Sequence, residues 1–150
     1  MSSEDPNNRA LRIPYIAYRQ SLFWKKQRIV VIPVCNEENH IIPCLRALAT
    51  QTLALPDKVI LWINNTTDQT YERALSLQTQ LPFMLELIQV TYNSATASAG
   101  TARREAMAYA AKNAPHDALL FTTDADGEVS KNWIYNTLDA EISQKGCTSG

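Results

Sequence analysis

From Arg28 onward, the chain alternates between continuous apolar runs and segments in which apolar side chains recur at helical spacing. An unbroken apolar run of this length is typical of a strand that is buried on both faces of a sheet. The pattern predicts four strands, at Arg28–Val34, Lys58–Ile63, Phe83–Tyr92 and Ala118–Thr123.

Helical spacing predicts four helices that follow these strands, at Glu38–Thr52, Asp68–Gln80, Ala99–Asn113 and Ser130–Gln144. The third helix is rich in alanine, which has the highest helix propensity. Pro43 fits the first helix only if it lies in the first turn. Because strands and helices alternate, we expect right-handed βαβ units and a Rossmann-like, three-layer α/β/α fold with a mainly parallel sheet.

Composition and charge divide the chain into a basic leader and a mildly acidic body. The 150 residues are enough for one domain, and a hydrophobic content of 45% supports a packed core. Residues 9–28 hold six basic and no acidic residues, whereas residues 29–150 hold eight basic and thirteen acidic residues. We interpret residues 1–27 as an arm packed on an α/β domain of residues 28–150. The alternative is that residues 9–28 contact an anionic membrane. The net charge of -1 gives no indication of a nucleic-acid partner, and none is predicted.

Cysteine usage and hydropathy bear on the compartment. Three cysteines without a CxxC pair are more typical of reduced thiols than of a disulfide framework. No apolar run approaches the roughly 20 residues that span a bilayer, and the first ten residues lack the apolar stretch of a signal peptide. The sequence therefore predicts a cytoplasmic protein, with the cytosolic membrane face as the alternative location.

Polar residues follow every predicted strand, where open α/β sheets bind their ligands. The sharpest group is Asp124-Ala125-Asp126-Gly127 after the fourth strand. Two carboxylates at this place offer hard oxygen ligands for Mg²⁺ or Mn²⁺, which would neutralise a diphosphate. The only glycines are Gly100, Gly127, Gly146 and Gly150, so no glycine-rich phosphate loop is present and a metal is the natural charge partner. The alternative is an ordinary turn, in which Asp and Gly are common.

Four segments in order carry a resemblance to a known family: VVIPVCNEEN, LWINNTTDQT, AGTARREAMAYA and LLFTTDADGEVSKNWI. Together they cover about Ile29 to Glu141, and they resemble the donor-binding half of family 2 glycosyltransferases. The resemblance implies the GT-A fold. It also implies a nucleotide-sugar donor (a UDP-, GDP- or TDP-sugar), Mn²⁺ or Mg²⁺, and transfer with inversion to an unidentified sugar, lipid or other hydroxyl acceptor.

The resemblance assigns eight residues to the donor site: Pro33, Cys35, Glu37, Asn64, Asn65, Arg103, Asp124 and Asp126. The first three would line the nucleoside pocket, and Asn65, or else Asn64, would bond the base. Arg103 would lie near the base or phosphate. Asp124 would approach the ribose and the metal, and Asp126 would be the direct metal ligand. Two positions depart from the family pattern, because Asn65 stands where Asp is common and Cys35 where a stacking aromatic is often found.

The family also has an acceptor-binding half with a general base, and no residue of this chain matches that base. We therefore interpret the chain as an apparently truncated donor half that binds nucleotide-sugar without efficient transfer, and its exposed sheet edge could support self-association. Two other functions stay open. One is a non-catalytic nucleotide-binding or scaffold module. The other is a DxDG phosphatase of the haloacid dehalogenase type with Asp124 as nucleophile, although that motif normally opens its domain.

Overall fold

A parallel four-stranded sheet in the order β3-β2-β1-β4 forms the core of the protein. The computed structural model describes residues 26–93 and 98–143, with side chains placed through residue 140. The predicted arm of residues 1–27 therefore lies almost entirely outside the described residues. The strands are β1 (Arg28–Val34), β2 (Lys58–Asn64), β3 (Met84–Val90) and β4 (Leu119–Thr122). All pairings between them are parallel. The prediction of an α/β fold with a mainly parallel sheet is confirmed.

Within residues 26–93 and 98–143, four helices accompany the strands: α1 (Ile41–Ala49), α2 (Thr70–Leu77), α3 (Ala99–Asn113) and α4 (Trp133–Ser143). A short 3-10 turn at Gln78–Gln80 extends α2. By contacts the chain divides into two units. Residues 26–135 belong to the larger unit with the whole sheet, and the part of α4 from Asn136 belongs to the other. No helix of the described residues is both long and apolar enough to cross a membrane.

The strand order fixes the sides on which the helices lie. The chain moves from β1 to β2 to β3 in one direction and then returns across β1 to β4. Because such crossovers are right-handed, the return places α3 on the opposite face from α1 and α2. The α3 face of the core contains alternate side chains of β1 and β2, namely Ile29, Val31, Ile60 and Trp62, packed with Ala102, Ala106 and Ala110. The small alanines bring α3 close to the sheet.

Several predicted boundaries were wrong by a few residues. The first helix runs from Ile41 to Ala49 rather than from Glu38 to Thr52, because the residues on either side bond to other segments of the chain. Pro43 lies in its first turn, as expected. The last helix begins at Trp133 and not at Ser130, while its predicted end at Gln144 lies outside the described residues.

The described sheet has β3 and β4 at its edges. Three large apolar side chains of the described residues are exposed, namely Leu53, Leu75 and Met84, and Met84 is the first residue of β3. Self-association through an exposed edge stays a prediction.

Candidate functional site

A cavity of about 340 Å³ lies at the carboxyl ends of β1, β2 and β4. The chain direction across the sheet reverses between β1 and β4, and this is where open α/β sheets leave a crevice for ligands. The cavity is lined by all eight residues that the sequence assigned to a donor site, Pro33, Cys35, Glu37, Asn64, Asn65, Arg103, Asp124 and Asp126. The structure thus brings these residues together, while the role of each one stays a prediction.

The amino end of α3 forms a wall of the cavity, of which the sequence predicted only Arg103. Ser98 precedes the helix with extended backbone, and its Oγ accepts a hydrogen bond of 3.0 Å from the Thr101 amide. Serine is a preferred residue at this position because it satisfies a free amide of the first turn. The lining residues missed from sequence are Val34, Ser98, Ala99, Ala102 and Ala125. Of these, Ser98 carried a detectable signal, since a serine before an alanine-rich run indicates a helix start.

Asn36 joins the loop after β1 to the loop after β2. Its Oδ1 accepts hydrogen bonds from the amides of Thr67 (2.8 Å) and Asp68 (3.2 Å). Its backbone has a φ of 53°, a left-handed conformation that asparagine tolerates better than most residues. In return, Asp68 Oδ2 accepts from the Glu38 amide at 3.1 Å. The two loops that carry Cys35, Glu37 and Asn65 are therefore held in register by reciprocal side-chain to backbone bonds.

The carboxylate of Asp68 is held in its charged form by this arrangement. Desolvation raises the pKa of Asp68, but bonds from the Thr70 hydroxyl and amide and from the Glu38 amide outweigh it, so the pKa lies below its ordinary value. The Thr70 amide, in the first turn of α2, donates to Asp68 Oδ1 at 3.0 Å. Asp68 thus supports the start of α2 and the neighbouring loop at the same time.

Asn64, the last residue of β2, and Asn65, which follows it, both make hydrogen bonds that the fold uses. Asn64 is buried, and its Nδ2 donates to the Val34 carbonyl at 3.0 Å. Asn65 Nδ2 donates to the Tyr92 carbonyl at 2.8 Å, and its Oδ1 accepts from the Tyr92 amide at 2.9 Å. Each amide nitrogen has a second proton and each oxygen a second lone pair. A base contact by Asn65 would therefore have to use the remaining bonding capacity of an amide whose orientation Tyr92 has already fixed.

The acidic pair lies after β4, with both carboxylates exposed and the intervening Ala125 buried. The guanidinium of Arg103 is paired with Asp124 and also donates to the Thr122 hydroxyl. The described residues contain no group of three or more His, Cys, Asp or Glu side chains that could hold a metal ion. Two exposed carboxylates fit a cation such as Mg²⁺ or Mn²⁺, which commonly takes one or two carboxylates and completes its shell with water and phosphate. They do not fit a closed zinc site.

Among the residues that the structure describes, the remaining polar groups near the cavity show no arrangement for nucleophilic catalysis. The exposed Cys35 lies with Sγ 3.8 Å from the Asn65 carbonyl. The carboxylate of Glu37 lies 2.8 Å from Nδ1 of the exposed His40. Cys44 on α1 is buried, and burial followed by the charge of Asp126 raises its pKa to about 12. A thiol of this pKa stays neutral near pH 7, so Cys44 fills space rather than acting as a nucleophile.

Comparison with known protein families identifies one that covers most of the chain. The family described as Glycosyl transferase family 2 matches residues 29–143. A comparison with curated protein sequences gives no match.

Solved structures with similar folds include two glycosyltransferases. The chain is similar to Staphylococcus aureus TarS 1-349, with 23% identity and a TM-score of 0.61 over 80% of this chain and 33% of that chain. It is also similar to glucosyl-3-phosphoglycerate synthase from Mycobacterium tuberculosis in complex with UDP, with 18% identity and a TM-score of 0.61 over 90% of this chain and 47% of that chain. A complex of the same synthase with Mn²⁺, UDP and phosphoglyceric acid gives 19% identity and a TM-score of 0.52 over 76% and 38% of the two chains.

These likenesses show that the fold is of the GT-A type. The chain spans between a third and about half of the length of these solved chains. The family match covers the sheet and the segments that line the cavity. The chain therefore belongs to glycosyl transferase family 2.

Proposed function

We propose that this chain binds a nucleoside diphosphate sugar in the cavity at the strand ends, as the donor site of an inverting glycosyltransferase. The observation that carries the proposal is the convergence of three strand ends and the start of α3 on one cavity with two carboxylates at its side. The acceptor is a hydroxyl compound of unidentified class, such as a sugar or a lipid, and the general base is unassigned.

The solved relatives support a nucleotide donor with a divalent cation. The TarS and glucosyl-3-phosphoglycerate synthase structures include complexes with UDP, and the synthase was also solved with Mg²⁺ or Mn²⁺. For this chain we propose a UDP-, GDP- or TDP-sugar, to be distinguished by titration. Asp126 and Asp124 are the residues that would hold Mn²⁺ or Mg²⁺. When bound, the cation would neutralise charge on the diphosphate and on the leaving group.

The protein's own groups supply the rest of the site. We propose that the side chains and backbone of Pro33, Cys35 and Glu37 line the nucleoside pocket, with Asn65, or less favourably Asn64, bonding the base. Asn64 is less suited because it is buried against the Val34 carbonyl.

Arg103 and the amino end of α3 add positive potential on the side that faces Asp124. We propose that the guanidinium meets the base or a phosphate group once the ligand is in place.

Two alternatives differ from this proposal in what they predict. A non-catalytic module would bind nucleotide as well, so it is separated by an assay of sugar transfer and not by binding. The phosphatase alternative has lost its basis, because the chain belongs to a glycosyltransferase family and Asp124 follows the fourth strand of the domain.

The test is a calorimetric titration of UDP, GDP and TDP with and without Mn²⁺. We expect one nucleotide to bind well only with Mn²⁺, and Asp126→Asn to abolish the metal-dependent part. The matched control is Glu128→Gln, which neutralises a neighbouring exposed carboxylate that does not line the cavity. Absence of binding under all conditions would overturn the proposal.

A further inference from the structure

The acidic segment between β4 and α4 carries Asp124 and Asp126. Its far end, which is next to α4, is held by residues that follow α1. Gln51 is a polar residue with only 7% of its surface exposed. Its Nε2 donates to the carbonyls of Ser130 (2.5 Å) and Ala47 (3.1 Å), and its Oε1 accepts from the Ile134 amide at 2.9 Å. A single side chain thus joins α1, the end of the acidic segment and the first turn of α4.

Thr52 reinforces the same attachment. Its amide donates to the Lys131 carbonyl at 2.7 Å, and its hydroxyl lies 3.2 Å from the same oxygen. The Ile134 amide is in the first turn of α4, where no partner exists within the helix, so Gln51 provides the bond that a local capping residue would otherwise provide.

The near end of the segment is attached to the same part of the protein. β4 pairs with β1, and Cys44 Sγ on α1 lies 4.0 Å from the Asp124 carbonyl. Between the two attachments, Asp126, Gly127 and Glu128 are exposed. The position of the Asp126 carboxylate relative to Asp124 is therefore set by where the two ends of the segment are held.

We propose that Gln51 is a positioning residue of the metal site, which acts by fixing the far end of the segment that carries Asp124 and Asp126. The inference rests on the proposed function. Gln51 does not line the cavity, so it would act through the segment and not by touching the ligand. A loss of Gln51 leaves the Ile134 amide without its partner and the Ser130 carbonyl with only the Trp133 amide. The far end of the segment is then held less firmly, so the two carboxylates are less well preorganised for one cation.

Gln51→Met tests the inference, because methionine has a similar length but can replace neither the donor nor the acceptor. We expect the gain in nucleotide affinity on adding Mn²⁺ to fall about tenfold or more, a typical effect of residues that orient metal ligands. The affinity without Mn²⁺ should stay within about twofold, because the nucleoside wall of the cavity, which we propose is formed by Pro33, Cys35 and Glu37, is untouched. The control Leu77→Ala removes a buried side chain of α2 remote from the segment, and it should lower the melting temperature without changing the Mn²⁺-dependent gain.

Amide hydrogen exchange without ligand provides a second readout that does not depend on nucleotide binding. In Gln51→Met we expect about tenfold faster exchange at the Ile134 amide and in residues 124–133, with no change in β2. Gln51→Glu keeps an acceptor for Ile134 and should restore protection there. Unchanged exchange would overturn the inference, and so would faster exchange with an undiminished effect of Mn²⁺. If the wild-type chain binds no nucleotide, the proposed function fails. In that case, faster amide exchange in Gln51→Met would show that Gln51 positions the segment, and unchanged exchange would show that it does not.

Discussion

The guanidinium of Arg103 on α3 is paired with the carboxylate of Asp124 after β4. The same guanidinium donates to the Thr122 hydroxyl at the end of that strand. One side chain therefore connects the helix that lines the cavity to the segment that carries the acidic pair. It also places a fixed positive charge beside a carboxylate that is itself 70% exposed.

Replacement of Arg103 by glutamine should weaken the binding of nucleoside diphosphate. A hydrogen bond to a charged group is worth about 1.5–3 kcal/mol, which corresponds to a loss of about tenfold to a hundredfold in affinity. The measurement is calorimetric titration with Mn²⁺ present. Arg104→Gln is the matched control, because Arg104 is exposed and does not line the cavity. Equal losses in both variants would mean that general charge, and not the position of Arg103, is responsible.

Replacement of Asn64 by alanine should destabilise the fold. The buried Asn64 amide is the partner of the Val34 carbonyl, and an unsatisfied buried acceptor costs about 1–3 kcal/mol. Urea denaturation at neutral pH measures the free energy of unfolding. Thr67→Ala, at an exposed residue of the loop that follows β2, should change it by less than about 0.5 kcal/mol. A variant of Asn64 as stable as the wild type would show that the bond to Val34 contributes nothing.

Stability should depend on pH through Glu86. Its carboxylate lies 2.7 Å from Lys58 Nζ and accepts from the Tyr109 hydroxyl. Desolvation raises the pKa of Glu86, but the bonds from Lys58 and Tyr109 outweigh it and bring the pKa below the ordinary 4.5. Since the pKa is lowered on folding, this stability is fully present above pH 4.5 and is lost as the pH falls through the folded-state pKa.

The bond from Tyr109 to Glu86 raises the pKa of Tyr109 above its ordinary 10.0, so its share of the stability is present below pH 10 and is lost at higher pH. The melting temperature, measured across pH, should therefore fall both at acidic pH and above pH 10. Glu86→Gln should reduce the fall in melting temperature at acidic and at alkaline pH. Glu72→Gln, at an exposed position of α2, should leave both falls unchanged. Identical profiles for Glu86→Gln and the wild type would contradict this account.

The two described cysteines should differ strongly in reactivity. Cys35 is exposed in the cavity, whereas Cys44 is buried with a pKa of about 12. In a Cys147→Ser background, we expect iodoacetamide to modify Cys44 more than about a hundredfold more slowly than Cys35, because the thiolate is the reactive form. Mass spectrometry of peptides measures both rates. Nucleotide with Mn²⁺ should slow the modification of Cys35, and undiminished modification at saturation would place the nucleotide elsewhere.

Much of the fold follows from short-range patterns in the sequence. The interiors of β1 and β2 are apolar because both faces of these strands are buried, and the alanines of α3 indicate a helix regardless of context. The carboxyl end of α1 and the start of α4 were not predictable in this way. They depend on Gln51, whose partners Ser130 and Ile134 are about eighty residues distant along the chain.

The candidate site, like the fold, has features that the sequence predicts and features that depend on residues far apart in the chain. The rule that ligands bind at strand ends, together with the resemblance of four segments to one family, selected eight residues that line the observed cavity. Neither could reveal how their polar groups are already engaged. Arg103 pairs with Asp124, and Asn65 makes two hydrogen bonds with the Tyr92 backbone. These contacts arise only from three-dimensional proximity.

The left-handed backbone of Asn36 has a consequence for when the nucleoside wall of the cavity takes shape. A substitute at this position would need to tolerate a φ of 53° and also present a neutral acceptor to two amides. Glycine meets only the first requirement and glutamine only the second. Because these bonds form within the protein itself, that wall is assembled during folding and not on arrival of a ligand. The entropic cost of ordering both loops thus lowers the free energy of unfolding and does not lower the affinity for a ligand.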